Sequence, residues 1–160
     1  MARLITLWAA ILAWGLVAAA PLHAASGLVQ ARNFQADART AARQKIPVMV
    51  IFTSPHCGYC DRVKRDYLIP MHRDRANRNR VLIREVTVGV TTPLVNFDGS
   101  QTTHGAFAAA HKVFMVPTVK VLDLQGNDAA EAIVGLLTPD FYYGYLEDAI
   151  NEGLRITQGR

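Results

Sequence analysis

"FTSPHCGYCDRVKRDYL", Phe52 to Leu68, holds both cysteines of a 160-residue chain, with two residues between them. Just ahead of it, "VMVIF" (Val48 to Phe52) is an unbroken apolar, β-favouring run, which predicts a central strand covered on both faces. Beyond it, Cys60, Val63, Tyr67 and Met71 recur at helical spacing and predict a helix opening at or just after Cys57. Pro70 should end or kink that helix. A strand therefore delivers two cysteines to the N-terminus of a helix.

Such a placement has chemical consequences. Unpaired N–H groups and the positive end of the helix dipole favour the thiolate of Cys57. Cys60, one turn further on, faces the core, where it can attack a mixed disulfide while hidden from solvent. As a structural staple the pair is poor, because a cross-link between residues three apart removes little chain entropy. Zinc would need two more ligands, yet there is no second CxxC and His56, His72, His104 and His111 are scattered. We therefore expect a redox couple with no metal and no cofactor. A metal-binding or redox-inert adaptor is the rival from another class.

Outward from this stretch, the chain reads as one α/β domain. "NFQADARTAARQ" (33–44) predicts a helix stopped by Pro47, and "RVLIREVTV" (80–88) a second strand. "GVTTPLVNFDGSQ" (89–101) carries turn signals and is taken as a loop, and "THGAFAAAHKV" (103–113) as a short helix. "PTVKVLDL" and "EAIVGL" predict strands around a "QGN" turn. The last helix starts with Thr138 as N-cap, Pro139 at its first position and Asp140 in its first turn. The order α-β-α-β-α-β-β-α implies a small central mixed β-sheet with helices on both faces.

The N-terminus needs separate handling. After Arg3, "LITLWAAILAWGLVAAAPLHAAS" has no charged residue and ends in small ones, the pattern of a secretory signal peptide over residues 1–24. The mature domain is then 25–160, and an uncleaved membrane anchor is the alternative. Absence of a cysteine at the cut excludes a lipid-anchored form. Export places the pair in an oxidising compartment.

Composition closes other routes. Hydrophobic residues make up 51% and charged ones 19%, enough to bury a core. A net charge of +4 falls short of a nucleic-acid footprint. The arginine-rich "HRDRANRNR" (72–80) reads as a solvated connection, and the aromatics Phe141, Tyr142, Tyr143 and Tyr145 suit packing onto the sheet better than base stacking. No Gly-rich phosphate loop or paired-carboxylate site supports a nucleotide-binding or hydrolytic reading.

With "FTSPHCGYC", "VPT" at Val116 to Thr118 ahead of a strand, and Val134-Gly135 ahead of the last helix, the chain resembles the thioredoxin fold over roughly Asn33 to Leu154. Its export signal, "HCGYCDRVKRDYL" and "NFDG" are more narrowly similar to SoxW-type periplasmic thioredoxins, and the Gly58-Tyr59 dipeptide also resembles that of the DsbC and DsbG isomerases. The resemblance implies a thiol:disulfide oxidoreductase with Cys57 and Cys60 catalytic. Val116, Pro117 (cis) and Thr118 would face the substrate, and His56, Gly58 and Tyr59 would modulate the pair. It implies disulfide-containing periplasmic proteins as partners, a membrane thiol transporter of the DsbD or CcdA kind as electron donor, no nucleic acid, and a monomer. The same residues could run as an oxidase or isomerase. Four positions depart from the family. Ile51 stands where thioredoxins often carry a buried acid that helps move the proton of the second cysteine. His56 replaces a Trp, Gly-Tyr replaces Gly-Pro, and Arg65 stands where a kink proline is expected. Asp61 and Lys64 read foremost as an exposed helical charge pair.

Overall fold

The computed structural model describes residues 27–159, so the signal peptide expected over 1–24 lies outside the described residues. Eight strand and helix predictions from sequence are all present, with a short helix and a two-stranded hairpin added and several corrected lengths. Helix α1 is Phe34–Gln44, with the Asn33 side chain accepting from the Ala36 N–H at 2.8 Å. Strand β1 is Val48–Thr53, buried throughout. Helix α2 (Gly58–Val63) runs through a π-helical turn (Lys64–Leu68) into α3 (Ile69–Arg73), so Pro70 does not end the helix. A proline has no N–H to give, and the widened turn absorbs the misfit: the Ile69 N–H bonds five residues back, to Lys64. A short α4 (Arg75–Arg78) follows, capped by Asp74, within the stretch read as a plain connection.

Strand β2 is Leu82–Thr87. The segment read as a loop contains a hairpin, β3 (Pro93–Val95) and β4 (Gln101–Thr103), and α5 (His104–Ala110) follows directly. Strand β5 is Thr118–Leu122, β6 is only Ile133–Val134, and α6 is Pro139–Thr157. Thr138 precedes α6 but its hydroxyl does not cap it, lying instead 3.4 Å from the Tyr145 hydroxyl.

The sheet order is β2-β1-β5-β6, with β1 parallel to β2 and antiparallel to β5, and β5 antiparallel to β6. It is a mixed sheet with helices on both faces, as the sequence implied. On one face Met49, Ile51, Ile83, Val119 and Val121 pack against Val63, Leu68 and Met71 of the α2–α3 helix and against Tyr142, Leu146 and Ile150 of α6. On the other, Val48, Val50, Phe52 and Val86 pack against α1 and α5. Phe97 of the hairpin turn stacks on Phe34 at 4.8 Å, and Phe34 on Phe107 at 4.7 Å, which seats the hairpin in the second core.

Of the four aromatics near the start of α6, only Tyr142 is buried, while Phe141, Tyr143 and Tyr145 are exposed. The helical period selects Tyr142, Leu146, Ala149, Ile150 and Gly153 for the core-facing stripe, and its neighbours turn outward. Residues 28–32 lie beside β2, with the Ala31 N–H bonded to the Glu85 carbonyl at 2.8 Å and the Glu85 N–H to Val29 at 2.9 Å. Buried His104 braces this segment: its Nδ1 accepts from the Thr87 N–H at 3.0 Å, so the neutral ring donates from Nε2 to the Ala31 carbonyl at 2.7 Å. Among the described residues no helix is long and apolar enough to cross a membrane.

Candidate active site

Strand β1 ends at Thr53, and Ser54, Pro55 and His56 turn the chain, with His56 in the left-handed region at φ 61°. Cys57 follows as the N-cap of α2. Its Sγ accepts from the Cys60 N–H at 3.1 Å, doing what a capping oxygen does elsewhere, and its carbonyl takes the Asp61 N–H at 3.0 Å. The two cysteines form a disulfide with Cα atoms 5.2 Å apart. Cys57 is half-buried, whereas Cys60 is 1% exposed. Gly58 and Tyr59 lie on the solvent side of the turn, Tyr59 being 66% exposed.

The register brings a second loop to the same end of the sheet. Phe52, near the end of β1, pairs with Thr118, the first residue of antiparallel β5. Val116 and Pro117 therefore sit where β1 hands over to the cysteine turn, and the peptide bond between them is cis. The Thr118 hydroxyl donates to the Met115 carbonyl at 2.8 Å, and the Gly135 N–H donates to the Pro117 carbonyl at 2.8 Å, which pins the loop from both sides. Phe114 and Met115 just before it are 90% and 62% exposed. Sequence reasoning passed over these two, although "FMVPT" was the available signal: large apolar residues abutting the proline of a surface loop.

One charged group in the neighbourhood was also missed. Glu85 is the register partner of Ile51 on the neighbouring strand β2, and it is buried. It accepts from the Thr53 hydroxyl at 2.9 Å and from Lys64 Nζ at 3.1 Å, and Lys64 also lies 3.3 Å from Asp61. Lys64 is thus not simply part of an exposed helical pair, because its main partner is a buried strand residue. Burial by itself would lower the pKa of the Lys64 ammonium, but the hydrogen bond and charge of Glu85, followed by those of Asp61, outweigh it and hold the group above its ordinary value.

The sequence model of a family described as "Thioredoxin-like domain" matches residues 34–150. The chain belongs to that family. Among solved structures, thioredoxin O2 of Arabidopsis thaliana in its oxidised state is similar at 16% identity, over 77% of this chain and 94% of its own, with a TM-score of 0.50. The periplasmic thioredoxin SoxS of Paracoccus pantotrophus aligns at 16% identity over 66% of this chain and 97% of its own, with a TM-score of 0.48. Trxlp of Edwardsiella tarda aligns at 22% identity over 69% and 91%, with a TM-score of 0.49. No curated protein matches the chain. The thioredoxin-like fold with its Cys57–Cys60 disulfide makes the protein a thiol:disulfide oxidoreductase.

Burial orders the two sulfurs of this thioredoxin-like protein. A thiol-alkylating reagent applied to the reduced protein at mildly acidic pH is expected to modify Cys57 well before Cys60, read by mass spectrometry of peptides against time. Equal labelling, or faster labelling of Cys60, would reverse the assignment of nucleophile.

Proposed function

We propose that the protein is an exported reductase of disulfides in periplasmic partner proteins. In this reading Cys57 attacks the partner's disulfide to give a mixed disulfide, and Cys60 then attacks Cys57, releasing the reduced partner and closing Cys57–Cys60. The observation that carries the direction is the sparse support around Cys57. Among the described residues its Sγ accepts one hydrogen bond, from the Cys60 N–H, while the nearby Lys64 is committed to Glu85 and Asp61. A strongly oxidising pair owes its potential to a stabilised reduced form, and among the described residues no cationic side chain is hydrogen-bonded to this sulfur.

Export rests on the leader-like residues 1–24, and a supply of electrons follows from the oxidising compartment: a membrane thiol transporter of the DsbD or CcdA kind would re-reduce the pair. We take the working form to be a monomer. Val116, Pro117 and Thr118 would receive the partner's backbone, with His56, Gly58 and Tyr59 shaping the approach to Cys57. Among the described residues no three His, Cys, Asp or Glu side chains come together to hold an ion.

Equilibration with glutathione tests the direction: a reduction potential more negative than about −200 mV is expected, and a less negative one supports the oxidase or isomerase reading instead. In parallel, Cys60→Ser should capture disulfide-bearing periplasmic proteins on Cys57 in a form released by reductant. Capture by neither Cys60→Ser nor Cys57→Ser would favour an inert adaptor.

A further inference from the structure

The charged cluster behind the cysteine pair has no part in the exchange as written above. Its centre, Glu85, sits on the sheet face that Met49, Ile51 and Ile83 otherwise make apolar. Burying a carboxylate there is costly unless it is paired and hydrogen-bonded, and even a well-paired buried ion pair seldom stabilises a fold better than apolar residues of the same size. A buried acid that accepts from Thr53 and Lys64 in the wall of a cleft at the cysteine turn is therefore better explained by chemistry than by stability.

The geometry supplies a route. The Lys64 N–H bonds to the Cys60 carbonyl, so these residues are four apart on continuous helix and their side chains share one side of it. Lys64 then reaches down to Glu85. A polar cleft of about 270 Å³ lies alongside, lined by Thr53, Ser54, His56, Asp61, Lys64 and Glu85 among others, so it opens next to the residue preceding Cys57 and has Glu85 in its wall. The titratable groups that face it are His56 from the turn, Asp61 and Lys64 from the helix, and Glu85 from β2; Asp61 is largely exposed, which leaves Glu85 as the buried base.

We propose that Glu85 accepts the proton of Cys60 through water in this cleft as Cys60 attacks the mixed disulfide, with Lys64 holding the carboxylate in place. The inference rests on the exchange chemistry above and not on its physiological direction. In the step, the Cys60 S–H bond breaks and the Cys60–Cys57 S–S bond forms. The bond from Cys57 to the partner sulfur breaks, and the partner leaves as a thiolate carrying that bond's electron pair. Glu85 holds the proton and returns it to solvent along the cleft.

Stopped-flow mixing of the reduced protein with 5,5′-dithiobis(2-nitrobenzoate) separates the two attacks, the first release of chromophore reporting Cys57 and the second Cys60. The wild-type rate of the second phase is expected to show an acidic limb, the mark of general-base catalysis. Glu85→Gln, which can keep the contacts to Thr53 and Lys64, should lose that limb and slow the second phase near neutral pH by about a hundredfold, the low end of general-base effects. The first phase should change little. Glu85→Asp should restore part of the limb. Lys64→Met, which removes the side chain that holds Glu85 in place, should also slow the second phase and leave the first nearly unchanged.

A Glu85→Gln protein with the wild-type pH profile overturns the proposal, as does a Lys64→Met protein whose second phase runs at the wild-type rate. Should Glu85→Gln fail to fold, the second-phase rate of Lys64→Met decides alone. A glutathione potential on the oxidising side would remove the reductase reading and leave this test standing.

Discussion

Cys57→Ser is expected to lower disulfide exchange by at least about a thousandfold, since nucleophilic attack has no alternative carrier in the chain. The described structure leaves Cys60 as the only other sulfur of a cysteine, and it is 1% exposed behind the first turn of α2. A hydroxyl at position 57 could still cap the helix in place of Sγ, so the fold should survive the change. The measurement is the first chromophore release described above, with thermal unfolding in parallel. A variant that folds normally and keeps more than about a hundredth of the wild-type rate would mean that Cys60 becomes accessible by local opening of the helix start.

Ile51→Asp is expected to cost about 3–5 kcal/mol of stability, the range for an uncompensated buried charge, and to bring no faster second phase. This is the position where thioredoxins often carry their acid, so a gain would be the natural guess from sequence alone. In this chain Ile51 is fully buried, and its register partner is Glu85. A new carboxylate would face an existing one across adjacent strands, with Lys64 already bound to Glu85 and Asp61. Two carboxylates this close cannot both ionise without penalty. Chemical denaturation gives the stability, and the second phase of release gives the rate. A stable Ile51→Asp protein with accelerated release would show that the site lacks a working base, against Glu85 in that role.

The parts of the fold that sequence disclosed are those where one local signal dominates. The apolar run Val48 to Phe52 and the helical recurrence of Cys60, Val63 and Met71 leave few choices, and Pro139 marks the start of α6 correctly. The hairpin escaped because its strands are three residues each and Gln101–Thr103 is wholly polar, so that pairing with Pro93–Val95 and the anchoring of Leu94 and Phe97 in the core decide its conformation. The continuation of the helix through Pro70 depends on a π turn, which has no compositional mark. Glu85 was half legible: in "VLIREV" it shares parity with Val81 and Ile83 and so points to the buried face, but its partner Lys64 comes from a helix 21 residues earlier. A contact between elements of that kind has no period to read. The cysteine pair and the Val116–Thr118 loop stood out because family resemblance adds information that spacing lacks.

The residues beside β2 bear on what the edges of the sheet present to solvent. A sheet offers two rows of unpaired backbone groups, and each is a template for association with another chain. At one edge β6 is two residues long, too short to recruit a neighbour effectively. At the other, the chain's own residues 28–32 occupy the bonding groups of Glu85, with Leu28 and Ala31 buried beneath. Trimming the protein back to Asn33 would remove those bonds and open the backbone groups of Glu85 to pairing with another chain.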